Sequence, residues 1–77
     1  MRKLDYPRND DIAEAILAVL SKNPLISPAD FVEEVIKELK ERGFYTNLVN
    51  AKRVWRIYES MVRKGTIYDV LDVVKRK

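Results

Sequence analysis

The side chains best equipped for chemistry lie between Thr46 and Gly65. This stretch holds Lys52, Arg53, Arg56, Arg63 and Lys64, five of the chain's fifteen basic residues. Read as a helix, it separates into two faces. Leu48, Ala51, Trp55, Tyr58 and Val62 recur at three- and four-residue steps with Val54 and Met61 at the flanks, so one stripe is apolar. Val49, Lys52, Arg53, Arg56, Ser60 and Arg63 run opposite, and that row is mostly cationic. Guanidinium and ammonium groups pair with phosphates and carboxylates through charge-assisted hydrogen bonds. The stretch therefore reads as one that buries one side and offers the other to something negatively charged.

Catalysis finds few tools. The chain has no histidine and no cysteine, so the commonest general bases, nucleophiles and zinc ligands are missing. Its carboxylates fall at helix starts or among lysines on outer faces, and with only two glycines it has no glycine-rich phosphate loop. We expect no enzymatic activity, no metal and no cofactor.

Seventy-seven residues, 47% apolar and 35% charged, suit one small soluble domain near the lower size limit for a single core. No apolar run reaches the eighteen residues that a membrane span needs. Arg2 and Lys3 are not followed by an apolar segment, so no secretory leader is expected, and the expected setting is the cytoplasm. The absence of histidine, cysteine and glutamine beside many Lys, Glu, Arg, Ile and Val points to a thermophilic source. The net charge of +3 is unevenly spread. Residues 1–41 carry a net −3 and residues 42–77 a net +6, which makes the chain a dipole with its positive end in the second half.

The elements that must position the basic row follow from local signals. Residues 1–9 contain Pro7 and no periodicity and read as a flexible basic arm, in which Arg2, Lys3 and Arg8 could follow a phosphate backbone; residues 10–77 form the domain. A first helix is expected from Asp10 or Asp11 to Lys22, with Ile12, Ile16, Val19 and Leu20 as its stripe and Leu17 widening it. Asn23-Pro24 ends it, the asparagine in a left-handed conformation. Ser27-Pro28-Ala29-Asp30 then opens a second helix with an N-cap, a proline at the first position and a capping-box partner. Phe31, Val32, Val35, Ile36 and Leu39 form its inner stripe. Glu33, Glu34, Glu38 and Glu41 line its outer face with Lys37 and Lys40, a poor surface for phosphates. Gly43 takes the C′ position, with Phe44 closing the contact. A short Gly43–Thr46 connection leads to a third helix capped by Thr46 or Asn47 and ended by Gly65. Trp55, Tyr58 and Met61 belong to the core by phase; Tyr45 and Tyr68 suit surface contacts.

The tail from Thr66 admits two readings. Ile67, Val70, Leu71 and Val74 match a helical stripe, Thr66 and Asp69 make a capping-box-like pair, and Lys75, Arg76 and Lys77 suit a helix end. The Thr, Ile, Tyr and Val content equally suits a strand. A short fourth helix is favoured narrowly, and its apolar stripe offers a surface for a homodimer or a protein partner.

This order of parts resembles the helix-turn-helix superfamily. Arg63-Lys64-Gly65-Thr66-Ile67-Tyr68 is similar to the exit of the recognition helix into the first wing strand of winged-helix domains. The resemblance covers roughly residues 10–70 and is one of pattern. It implies a mostly α fold: a three-helix helix-turn-helix core with a fourth helix, or alternatively a single wing-like strand. It also implies that the third helix enters the major groove of duplex DNA. Thr46, Asn47, Asn50 and Arg53 would then face base edges, where asparagine suits adenine and arginine suits guanine. Lys52, Arg56, Arg63 and Lys64 would contact phosphates. For Asn47, plain helix capping competes with base contact. The expected function is DNA binding, in transcription regulation or chromatin, with RNA as another polyanion. The alternative is a non-enzymatic protein-interaction module, an accessory subunit of a replication, transcription or ribosomal assembly.

Overall fold

The computed structural model describes residues 5–68 and Leu71. It places three helices among them: α1 (Asn9–Lys22), α2 (Pro28–Glu41) and α3 (Ala51–Arg63). The described residues include no named strand, and an isolated parallel bridge joins Asp5 to Phe44. None of their helices is long and apolar enough to cross a membrane. The helix-or-strand question for the tail falls largely on residues outside the described ones.

Helix α1 starts one residue earlier than its sequence suggests. The Arg8 amide donates to Asp11 Oδ2 at 2.8 Å, and Asp10 and Asp11 occupy the first turn, where the helix dipole favours negative charge. Its end differs from expectation. Asn23 is not left-handed but lies at φ −142°, ψ 77°, with its amide bonded to the Val19 carbonyl. Pro24 explains this, because a proline's ring pushes the residue before it out of helical and into extended conformations. At α2, Ser27 is the N-cap and Pro28 the first helical residue, as expected. The Ser27 hydroxyl does not accept from the helix amides, however. It donates to Asp30 Oδ2 at 3.1 Å, while the Ser27 carbonyl accepts from the Asp30 and Phe31 amides.

Helices α2 and α3 close in the same way. Gly43 (φ 90°) and Gly65 (φ 79°) both take the left-handed conformation. After α2, the Gly43 amide bonds Lys40 and the Phe44 amide bonds Leu39; after α3, the Gly65 amide bonds Val62 and the Thr66 amide bonds Met61. Each pair is the Schellman pattern that satisfies the last carbonyls of a helix.

The start of α3 corrects the sequence reading. Neither Thr46 nor Asn47 caps it. Asn50 does, its side-chain oxygen accepting from the Arg53 amide at 2.9 Å. The connection from α2 is therefore nine residues, 42–50, rather than the short Gly43–Thr46 link. Within it, the Val49 amide turns back onto the Thr46 carbonyl. With Leu48 off the helix, its phase no longer predicts its direction. Leu48 is 64% exposed and Ala51 is exposed, whereas Val49, assigned to the outer row, is buried. The stripe that does face inward is Val54, Ile57, Tyr58, Met61 and Val62, with Trp55 half-buried at its flank.

These residues meet Ile12, Ala15, Ile16 and Val19 of α1 and Phe31, Val35 and Leu39 of α2. Leu17, expected to widen the α1 stripe, is 41% exposed. Phe31, Trp55 and Tyr58 form a three-ring cluster with centroids 5.1, 5.4 and 5.6 Å apart. Such offset and edge-on pairs add about 0.5–1.5 kcal/mol each beyond the area they bury. Leu71 packs on the same side. It is 8% exposed, and its amide donates to the Tyr58 hydroxyl at 3.2 Å. Leu71 is thus taken up by its own core, with Ile67 partly buried beside it, rather than being offered outward to a partner; Val70 and Val74 lie outside the described residues.

Glu38 corrects the α2 reading. It is buried, not on the outer face, because it stands seven residues after Phe31 and so falls back on the inner stripe. Two cations accompany it: Arg42 Nε at 2.8 Å from Oε2 and Lys22 Nζ at 2.9 Å from Oε1. Their hydrogen bonds, Arg42's first, hold its carboxyl below the ordinary carboxylate range despite burial.

Two predictions follow from these contacts. A carboxyl with a lowered folded-state pKa contributes stability that is full above its unfolded pKa and is lost as pH falls through the folded one. Glu38→Gln should therefore lower the melting temperature at pH 7 and lessen the loss of stability between about pH 5 and pH 3; a variant whose acid limb matches the parent's would contradict this. Secondly, Gly43→Ala and Gly65→Ala should each cost about 1–2 kcal/mol in denaturant melts, from forcing a Cβ into the left-handed region. Space is not the reason, since a Cβ at either position meets nothing within 4 Å.

Candidate binding surface

At 100° per residue, Lys52, Arg56, Glu59 and Arg63 fall on one line along α3, and all four are exposed. The line is about 16 Å long, from eleven residue-to-residue rises of ~1.5 Å each. Lys64, also exposed, is the C-cap residue and lies about 100° round the helix from Arg63, on the side of the groove between α1 and α3. Arg63 and Lys64 lie at the helix end where the dipole favours cations. Glu59 interrupts the row, 3.7 Å from Arg63. Both partners are exposed, so that pair holds little energy. Lys52, Arg56 and Arg63 are thus brought together as an outward cationic ridge, with Lys64 at its end on the groove side.

The four residues expected at base edges are not part of this ridge. Asn50 is the N-cap. Thr46 and Asn47 lie in the connection before the helix, and the Asn47 amide nitrogen donates to the Tyr45 hydroxyl. Arg53 turns the other way. Its Nη2 donates to the Pro7 carbonyl at 2.9 Å and approaches Asn9 Oδ1 at 3.4 Å. A buried carbonyl needs such a donor, and Pro7 is buried.

Arg53 therefore joins α3 to the segment that leads into α1. That segment is held elsewhere too. The Tyr45 amide donates to the Asp5 carbonyl at 2.9 Å, and the Tyr6 and Tyr45 rings meet edge to face at 5.1 Å. Of the expected basic arm, residues 5–8 lie against the α2–α3 connection and α3, whereas Arg2 and Lys3 fall outside the described residues. The Arg53 contact spans 46 positions, and no local pattern announces it.

A second feature adjoins the ridge. Between α1 and α3 runs an open groove of about 730 Å³. Ala13, Leu17, Ile57 and Met61 supply its apolar lining, Asp10 and Glu14 the α1 side, and Arg53, Arg56 and Lys64 the α3 side. The Arg53–Asn9 contact brings the starts of the two helices to the same end of it. Its walls therefore carry opposite charge, with the Glu14 carboxylate also lying 3.5 Å from Arg42 just past α2.

Comparison with protein-family models, curated proteins and solved structures finds no match.

The geometry separates Arg53 from the other cations. Arg53→Ala should lower stability by about 1–2 kcal/mol, the scale of a hydrogen bond from a charged donor, and should speed amide exchange at Tyr45. Arg56→Ala should leave both unchanged. Equal effects from the two variants would remove the distinction.

Proposed function

We propose that this chain is a small non-enzymatic domain that binds duplex DNA by its phosphate backbone, through Lys52, Arg56, Arg63 and Lys64. The observation that carries the reading is the ridge itself. Three exposed cations lie along one helix line with a single carboxylate among them and Lys64 at its end, while the exposed face of α2 carries Asp30, Glu33, Glu34 and Glu41 against Lys37 and Lys40. A polyanion meeting this molecule is drawn to α3 and away from α2. The order of three helices, with the third offering its outer side, agrees with a helix-turn-helix-like mode of approach, and a cytoplasmic role in transcription or chromatin would suit it.

Asn50 and Arg53 are occupied in capping and tethering, so the reading places most of the affinity in phosphate contacts. These position a protein on DNA and carry little sequence information. Modest discrimination between sequences is expected.

Salt dependence tests this directly. With three or four phosphates neutralised, log K for a mixed-sequence duplex should fall against log salt with a slope of about −3 to −4. Removing Lys52 and Arg56 together should make the slope shallower by about 2, and two unrelated duplexes should bind within a few-fold of each other. An absence of binding at ~50 mM salt overturns the proposal. Tighter binding to an A-form RNA duplex would reassign the ridge to RNA.

A further inference from the structure

The groove between α1 and α3 has a property that the ridge does not use: its two walls are complementary to each other. Asp10 and Glu14 face outward from α1, Arg56 and Lys64 from α3, and the apolar side chains of Leu17, Ile57 and Met61 lie between them. Leu17 is the large side chain there most open to water. Leu71 is anchored to Tyr58 on the side of α3 that meets Phe31.

We infer that this groove is the docking surface for a second copy of the chain, in a two-fold dimer. The argument is one of symmetry. In an isologous interface the same patch serves both partners, so whatever one wall needs the other wall must supply. A two-fold axis along the groove lays the α1 wall of one copy over the α3 wall of its partner. Because both helices start at the same end, Asp10 and Glu14 then lie near Arg56 of the partner copy, twice over. An axis across the groove would set acid on acid, a costly juxtaposition. Charge therefore selects one orientation, and the two Leu17 side chains meet close to the axis. A partner of a different sequence would have to reproduce the same opposed charges; this chain already has them.

A weak dimer of this kind has to cover the outer sides of both walls as well as the groove itself. About 600 Å² per copy, the lower end of specific interfaces, is about a tenth of the 5861 Å² surface. The ion pairs at its margins are exposed to salt and contribute mainly to orientation. The inference does not rest on DNA binding, and nucleic acid is left out of its test, so either proposal can fail alone. Arg56 and Lys64 stand at the edge of both surfaces.

Sedimentation equilibrium of the full chain, from about 10 µM to 1 mM in low salt, should show a monomer–dimer equilibrium weakened by added salt. Glu14→Lys and Arg56→Glu should each weaken it about tenfold or more, and the double variant should recover most of the loss, because each copy then presents both walls reversed. Leu17→Glu should abolish association with its helical circular dichroism intact, since that side chain is exposed in the monomer. A chain that is monomeric throughout overturns the inference. So does a dimer that withstands Leu17→Glu, which would place the interface elsewhere, or a double variant no better than the single ones, which would rule out the cross-paired orientation.

Discussion

Asn50 gives its side-chain oxygen to the amide of Arg53, and where α3 begins, and so which residues before it are helical, depends on that bond. An N-cap fixes where helical phase begins. Beginning at Ala51, the helix turns Val54, Ile57, Tyr58 and Met61 inward, and the same rotation carries Lys52, Arg56 and Arg63 outward together. A start at Thr46 or Asn47 would have added Leu48 to the inner stripe and Val49 to the outer row. The structure does the reverse: Leu48 is exposed and Val49 buried. Moving the cap reverses the directions of Leu48 and Val49 without changing a residue.

Features governed by neighbours in sequence were legible there. The proline at the start of α2, the two glycine ends, the stop at Lys22 and the acidic outer side of α2 follow from rules that act within about five residues. Features governed by distant partners were not. Arg53 and Arg56 are the same residue type three positions apart. One is committed to the Pro7 carbonyl and the other is free of the contacts described, and only the tertiary fold distinguishes them. Glu38 could have been placed by its spacing from Phe31, but its charge argued for the outside. The cations that accompany it, one from the end of α1 and one just past α2, become visible only once the helices are packed.

The candidate surface shows the same division. Its phosphate-type cations emerged together because helical phase gathers them wherever the helix begins. Its base-facing candidates did not, since short polar side chains next to a helix start are the ones recruited to cap it and to bond within the preceding turn. Thr46, Asn47 and Asn50 all stand in that position. Their chemical fitness for bases and their fitness for local hydrogen bonding are the same property, and folding claims them first.

Stability alone gives the ridge no explanation. Lys52 and Arg56 are like charges at an i,i+4 spacing, which costs a helix about 0.2–0.5 kcal/mol, and the Arg63–Glu59 pair is too exposed to offset much of it. Physiological salt screens charges beyond about 8 Å, yet neighbours on one helix line stand closer than that, at about 5–6 Å. Their repulsion therefore persists in the free protein and is relieved when an anion lies along them.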